Sequence, residues 1–382
     1  MAITDTAPRV RVSGTVRAES TVKRLDVLLV GAVIALSGIG LVMVYAASRD
    51  SLIAVGADPA LYLKKQIIFM TFGLVAGAAA VRLDYRNFLE RMPLAFVFTI
   101  VALLGLFLVP ASNGAHGWYQ LGLFQLQPAE FGKIVIIGCL AAYGAAQRSQ
   151  LDLRRFMIFL AIAGVPTFLV FLQPDLGTAL VYLSIVLVML WLGGAQGKHI
   201  VGLIGSGVAM AWLMIRFEVL KPYQVKRLTS FIDASASAQD AAYNVYQSKI
   251  AIGAGGVTGQ GLFQGTQTRG SWVPARHTDF IFSVVGEQLG FAGGILVVLL
   301  FAIVCWRIWR AAAVARDPEG MLICGGVLGL FLFQVFENIG MTMGIMPVTG
   351  IPLPFLTAGG SSTIMAFFAV GLVLNVSASR FR

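Results

Sequence analysis

Ten apolar runs, each near the roughly 20 residues that a helix needs to cross a bilayer, leave this chain little choice of architecture. They fall at about 25–48, 64–81, 92–110, 129–147, 156–173, 176–194, 200–217, 279–306, 320–344 and 355–377. In hydrocarbon every backbone N–H and C=O must be satisfied, so runs of this length form helices. The expectation is an all-α fold: a polytopic transmembrane helical bundle of about ten spans. Of the 382 residues, 58% are hydrophobic and 12% charged. A water-soluble domain of that composition would expose far too much apolar surface.

Charges between the runs orient the bundle. An inside N-terminus places seventeen Lys and Arg on the inner side, including Arg9, Arg82, Arg86, Arg91, Arg154, Arg155, Arg307, Arg310 and Arg316. The outer loops at about 111–128 and 345–354 then carry none, and the bias predicts both termini in the cytoplasm. Residues 1–24, basic and rich in Ser and Thr, read as a disordered cytoplasmic tail, and 25–382 as the transmembrane domain. One external loop is long. Residues 218–278, between spans seven and eight, carry Lys221, Lys226, Arg227, Lys249, Arg269 and Arg276. Charge bias governs short loops, so this one is compatible with the topology. It reads either as a solvated cover or as a platform for an anionic ligand near the headgroups. Within it, Tyr246 to Gly261 is too rich in glycine for a spanning helix and reads as a short amphipathic or partly re-entrant element, its backbone satisfied against protein.

With charge explained by topology, the net +10 carries no nucleic-acid signal, since no basic cluster with interleaved aromatics stands on a soluble module. Cys139, Cys305 and Cys324 lie in apolar stretches and read as packing residues. Neither a Walker loop, a dinucleotide fingerprint nor a His-Glu-x-x-His pair occurs, so no nucleotide or organic cofactor is expected.

Chemistry must then come from polar residues in or beside the spans, where a charge is costly and usually has a partner or an aqueous cavity. Glu130 and Lys133, three apart at the start of the fourth span, can share a helix face. They either form a packing ion pair or line a cavity in which Lys133 faces a phosphate. Asp175, in Gln173-Pro-Asp-Leu-Gly-Thr178, either caps the next span or faces a ligand. Glu287 lies about two turns beyond Asp279 on a similar face. The Glu337-Asn338 pair interrupts the ninth span, where a buried carboxylate needs a partner, and Lys133 is one candidate for it or for Glu287. The Pro- and Gly-rich connector from Gly344 to Thr363, with Ser361 in its Gly-Gly-Ser-Ser run, reads either as a turn or as a rim for a headgroup.

The densest polar island is Trp272-Val-Pro-Ala-Arg-His-Thr-Asp-Phe-Ile-Phe282, where the long loop meets lipid. An Asp ahead of a span is often a cap, and Thr278 competes for that role. Flanked by Arg276 and His277, however, Asp279 is also placed to stay ionised near neutral pH and take a proton from a sugar hydroxyl.

These segments together resemble the shape, elongation, division and sporulation family of bacterial polytopic proteins. The resemblance rests on four separated motifs in order: Gly117-Trp118 through Gln127-Pro-Ala-Glu130 and Lys133; Gln173-Pro-Asp-Leu-Gly-Thr178; Arg276-His-Thr-Asp-Phe-Ile-Phe282 with Gly286-Glu287; and Asn338-Ile-Gly-Met to Gly359-Gly-Ser-Ser362. It covers about residue 25 to the end. Arg276 and the run from Pro347 to Pro354 are more similar to the rod-shape elongation branch than to the septal one. Family members usually have Arg before the tryptophan and Ser before the glutamate, where this chain has Gly117 and Ala129.

The resemblance implies a peptidoglycan glycosyltransferase polymerising lipid II at the outer face of the bacterial cytoplasmic membrane. It would work with a class B penicillin-binding protein and other membrane proteins of the elongation machinery. Asp279 falls on the family's essential external aspartate, and Glu130 with Lys133 on its paired cavity residues. The implied reaction is β-1,4 transfer with inversion: Asp279 deprotonates or orients the GlcNAc 4-hydroxyl, and undecaprenyl pyrophosphate leaves the MurNAc anomeric carbon. Lys133, Arg276 or a divalent cation, magnesium or manganese, would receive the leaving charge, and Asp279 could instead hold that cation. Two rival readings are a lipid II transporter and a noncatalytic scaffold for the penicillin-binding protein.

Overall fold

The computed structural model describes residues 26–109, 117–122, 124–147, 152–217, 241–270 and 272–379. The first half holds α1 (Val27–Ala54), α2 (Leu61–Arg82), the short α3 (Tyr85–Glu90), α4 (Met92–Gly105), α5 (Pro128–Ala146), α6 (Leu153–Leu172), α7 (Leu176–Leu192) and α8 (Gly197–Arg216). The second holds α9 (Ala241–Ala254), α10 (Thr266–Arg269), α11 (Ile281–Ala313), α12 (Pro318–Thr342) and α13 (Gly360–Ser379). Eight helices are long and apolar enough to cross a membrane, and Met92–Leu108 and Leu176–Leu192 are shorter apolar helices. Together they match the ten expected spans one for one. Among the described residues the strands are β1 (Tyr119–Leu121) and β2 (Phe124–Leu126), an antiparallel hairpin leading into α5. The tail 1–24 and residues 218–240 of the long loop lie outside the described residues.

Aspartates set several helix starts. Asp26, Asp152, Asp175 and Asp317 accept from the N–H groups of Leu29, Arg155, Thr178 and Gly320 at 3.1, 2.9, 3.0 and 2.8 Å, each such cap contributing about 1 kcal/mol. Asp26 also meets Arg307 at 2.5 Å, which fastens the start of α1 to the far end of α11. α11 runs past its expected end at 306, to Ala313. α12 packs centrally against α5, α7 and α11, and α2 lies along α13. The last pair closes on small residues: a Cβ on Gly77 would stand 2.8 Å from the Phe367 carbonyl. Asn375 then donates to the carbonyls of Ala80 and Val81 at 3.0 and 2.8 Å, taking up groups that the end of α2 leaves open. By contrast α8, packed mainly on α7, buries none of its residues.

α11 is broken at Gly290, whose φ of 66° and ψ of −164° are open essentially to glycine alone. The segment after α9 repairs the break. Gln260 and Gly261 donate N–H to the Glu287 and Gln288 carbonyls at 2.9 and 3.1 Å, while Phe291 and Ala292 donate to Gly256 and Val257 at 2.9 and 3.1 Å. A side chain would prevent that approach, because a Cβ on Gly255 strikes the Gly286 carbonyl. The glycines of this stretch bring two backbones into hydrogen-bond range, which satisfies polar groups that lipid could not.

Candidate functional site

Pro128 occupies the first turn of α5, where its missing N–H is not needed, and Glu130 and Lys133 follow on one face. The Lys133 Nζ lies 2.6 Å from Glu130 Oε1, with only 2% and 4% of the side chains exposed. Tyr182 of α7 donates to the Ala129 carbonyl at 2.7 Å, bracing this turn. Beside the pair is a void of about 10 Å³, bordered by Gln334, Pro352, Pro354 and Ser362. It has room for one water and none for a phosphate. Lys133 partners Glu130, not Glu287 or Glu337, and the pair lines the void.

Two further predicted residues position that turn. Asp175 caps α7, accepting from Thr178 N–H at 3.0 Å and its hydroxyl at 2.8 Å. It also accepts from Gln127 Nε2 at 3.2 Å, immediately ahead of α5. Ser361 Oγ accepts the Gln127 N–H at 3.1 Å and donates to the Gln125 carbonyl at 3.3 Å. Both fasten the hairpin to neighbouring helices. Trp118, half-buried just before β1, borders neither the void nor the larger cavity described below.

The polar island ahead of α11 divides by function. Arg276, 7% exposed, donates its Nε to the Ala47 carbonyl of α1 at 2.6 Å. It is a clamp between loop and helix. His277 stacks its ring 4.5 Å from that of Tyr62, and its carbonyl accepts from Ala358 N–H at 3.1 Å. Burial first, and the Arg276 charge second, push its imidazole pKa below the ordinary 6.5, so it is neutral at pH 7. Asp279 is half-buried. Its backbone carbonyl accepts from Asn338 Nδ2 at 2.9 Å, and the same amide donates to the Ile351 carbonyl at 2.7 Å. Its carboxylate lies 3.3 Å from where a Cβ on Gly350 would stand. The connector from Thr349 to Pro354 thus runs between Asp279 and the Glu130–Lys133 pair.

His277 and Thr278 border a cavity of about 610 Å³, walled also by Tyr62, Lys65, Gln120, Gln125 and Gly359–Gly360. That volume is typical of a small-ligand site. It sits at the end of the bundle where α2, α5, α11 and α13 all begin. Lys65 and Gln66 line this cavity without standing among the residues that the motifs single out. Their signal was a charged and an amide side chain in the first turn of a span. Gln66 is buried and accepts from Gly359 N–H at 3.2 Å while donating to the Thr357 carbonyl at 3.2 Å, which shapes the wall.

Glu287 stands elsewhere. Fully buried, its carboxylate accepts the N–H groups of Gln267 and Thr268 at 2.6 and 3.0 Å, along with the Thr268 hydroxyl. It caps α10 from α11. Glu337, 1% exposed, has no hydrogen-bond partner for either carboxylate oxygen among the described residues.

Ten apolar helices among the described residues, with a polar cavity of ligand size at one end of the bundle, define a multi-pass membrane protein. The chain belongs to the FtsW/RodA/SpoVE cell cycle protein family, whose profile matches residues 27–381. It is 37% identical to stage V sporulation protein E of Bacillus subtilis, covering 92% of this chain and 96% of that one. It is 33% identical to the peptidoglycan glycosyltransferase RodA of Treponema pallidum, over 94% and 98%. Among solved structures, it matches a chain of a peptidoglycan synthase complex that coordinates polymerisation and crosslinking, with TM-score 0.78 and 28% identity over 94% and 99% of the two chains. It also matches the rod shape determining protein RodA of Thermus thermophilus, with TM-score 0.70 and 28% identity over 94% and 98%.

Proposed function

We propose that this protein is a peptidoglycan glycosyltransferase that polymerises lipid II into β-1,4 glycan strands at the outer face of the cytoplasmic membrane during cell elongation. Both termini would lie in the cytoplasm, and the cavity outside. The observation that carries this reading is the placement of Asp279: a carboxylate whose backbone is held by Asn338, one residue from the wall of a 610 Å³ polar cavity. An anchored carboxylate next to a sugar-sized space can orient the acceptor 4-hydroxyl and take its proton as the new glycosidic bond forms. Inversion follows from direct attack of that oxygen on the anomeric carbon, with undecaprenyl pyrophosphate leaving from the opposite side. The neighbouring His277, its pKa lowered chiefly by burial, adds no competing charge at pH 7.

Among the described residues no group of three or more His, Cys, Asp or Glu gathers. A magnesium or manganese ion, if one takes part, would take the Asp279 carboxylate as a protein ligand. When bound, it supplies charge neutralisation for the leaving group. A class B penicillin-binding protein is the proposed partner, because the matched synthase complex couples polymerisation to crosslinking.

The test is polymerisation of lipid II by purified protein, with and without its class B partner, beside Asp279→Ala. Glycan polymer from the wild type and none from a folded, partner-bound variant is the expected result. Normal polymer from Asp279→Ala removes that residue from the chemistry. No polymer from a verified wild-type complex moves the reading to lipid II transport or scaffolding, which a vesicle translocation assay then separates.

A further inference from the structure

We propose that the cavity walled by Lys65, His277 and Thr278 is the binding site for the diphosphate of a lipid-linked sugar, with Lys65 as its charged contact. The proposal deepens the glycosyltransferase reading and rests on it for the identity of the lipid; the chemistry of the walls supplies the rest. Lys65 is exposed on the first turn of α2. Its neighbour Lys64 is engaged by Asp58 at 2.6 Å, whereas Lys65 has no ion-pair partner among the described residues. None of the wall residues is Asp or Glu. Those present offer donors instead: the amides of Gln120 and Gln125, the Thr278 hydroxyl and one imidazole N–H of His277. A free ammonium among neutral donors, with no carboxylate, attracts an anion.

The competing cations are already engaged. Lys133 is buried against Glu130, and Arg276 is buried with its Nε on the Ala47 carbonyl. The wall is also preorganised, since Gln66 ties down Gly359 and Thr357 from beneath, so little ordering opposes binding. Thr278 precedes Asp279 directly. A donor diphosphate against Lys65 and an acceptor hydroxyl against Asp279 would therefore flank the same reacting anomeric carbon.

The experiment measures direct binding of undecaprenyl pyrophosphate to the purified protein in complex with its partner. Wild type, Lys65→Ala and Lys65→Arg are compared, with undecaprenol and phosphatidylglycerol as further ligands. Because no turnover is needed, the result stands even if polymerisation is never observed. Loss of a charge-assisted contact predicts binding weakened about tenfold or more in Lys65→Ala, affinity near wild type in Lys65→Arg, and unchanged binding of the two other lipids. Lys65→Gln, of similar length, repeats the measurement if Lys65→Ala lowers the melting temperature. Wild-type affinity in both neutral variants overturns the proposal. An equal loss for phosphatidylglycerol also overturns it, because the site would then read any headgroup phosphate.

Discussion

Substituting Glu287 by Ala should loosen the loop in front of Asp279 rather than empty a substrate site. The carboxylate accepts two backbone N–H groups, from Gln267 and Thr268, and the Thr268 hydroxyl. Hydrogen bonds to a charged group contribute about 1.5–3 kcal/mol each. Losing the two backbone bonds therefore predicts about 3–6 kcal/mol less resistance to local opening. At about 1.4 kcal/mol per tenfold, the amides of Gln267 and Thr268 should exchange with deuterium on the order of a hundredfold faster or more. Glu287→Gln keeps one accepting oxygen and should fall between wild type and Ala. Polymerisation should decline in step with loop protection across the three proteins. If Glu287→Gln abolished polymer while exchange in 264–270 stayed at the wild-type rate, the capping role would be wrong and a place in the substrate cavity restored.

Other consequences can be checked the same way. Glu337→Gln replaces a buried, unpartnered carboxylate with a neutral group of the same shape, so the melting temperature should hold or rise; a marked fall would reveal an unseen partner. Gly259→Ala introduces a Cβ that strikes the Gln288 carbonyl at a φ of 83°. The backbone strain alone should cost about 1–3 kcal/mol, read as a lower melting temperature. His277 has a folded pKa below 6.5, so between those two values the unfolded chain binds the extra proton. Stability should fall as pH drops through 6.5 by at most about 1.4 kcal/mol per unit. His277→Gln should flatten that part of the melting profile between pH 7.5 and 5.5.

The spans were legible because hydrocarbon imposes one solution on an apolar run, and all ten fall where the hydropathy puts them. Residues that act through sequence-local geometry were legible too. Glu130 and Lys133, three apart on a helix, meet as that spacing requires. Asp175 caps the helix it precedes. What failed depended on partners far along the chain. Glu287 shares a rough helical face with Asp279, yet its carboxylate goes to Gln267 and Thr268, some twenty residues before it, because the break at Gly290 folds the glycine loop back onto α11. Arg276 looked like a free cation until α1 placed the Ala47 carbonyl beside it. Lys65 was not legible as a wall residue because its company there, Gln120, Gln125 and His277, comes from the hairpin and from the loop before α11.

The repaired break in α11 has a bearing on how such a chain can change over generations. A continuous helix carries its own hydrogen bonds and accepts surface substitutions one at a time. Here the continuity of a span is lodged in a separate stretch of polypeptide, and four backbone hydrogen bonds join the two. Gly255, Gly259 and Gly290 therefore form a single heritable unit: a side chain gained at any one of them displaces both segments together, and no single reversal at another restores the fit.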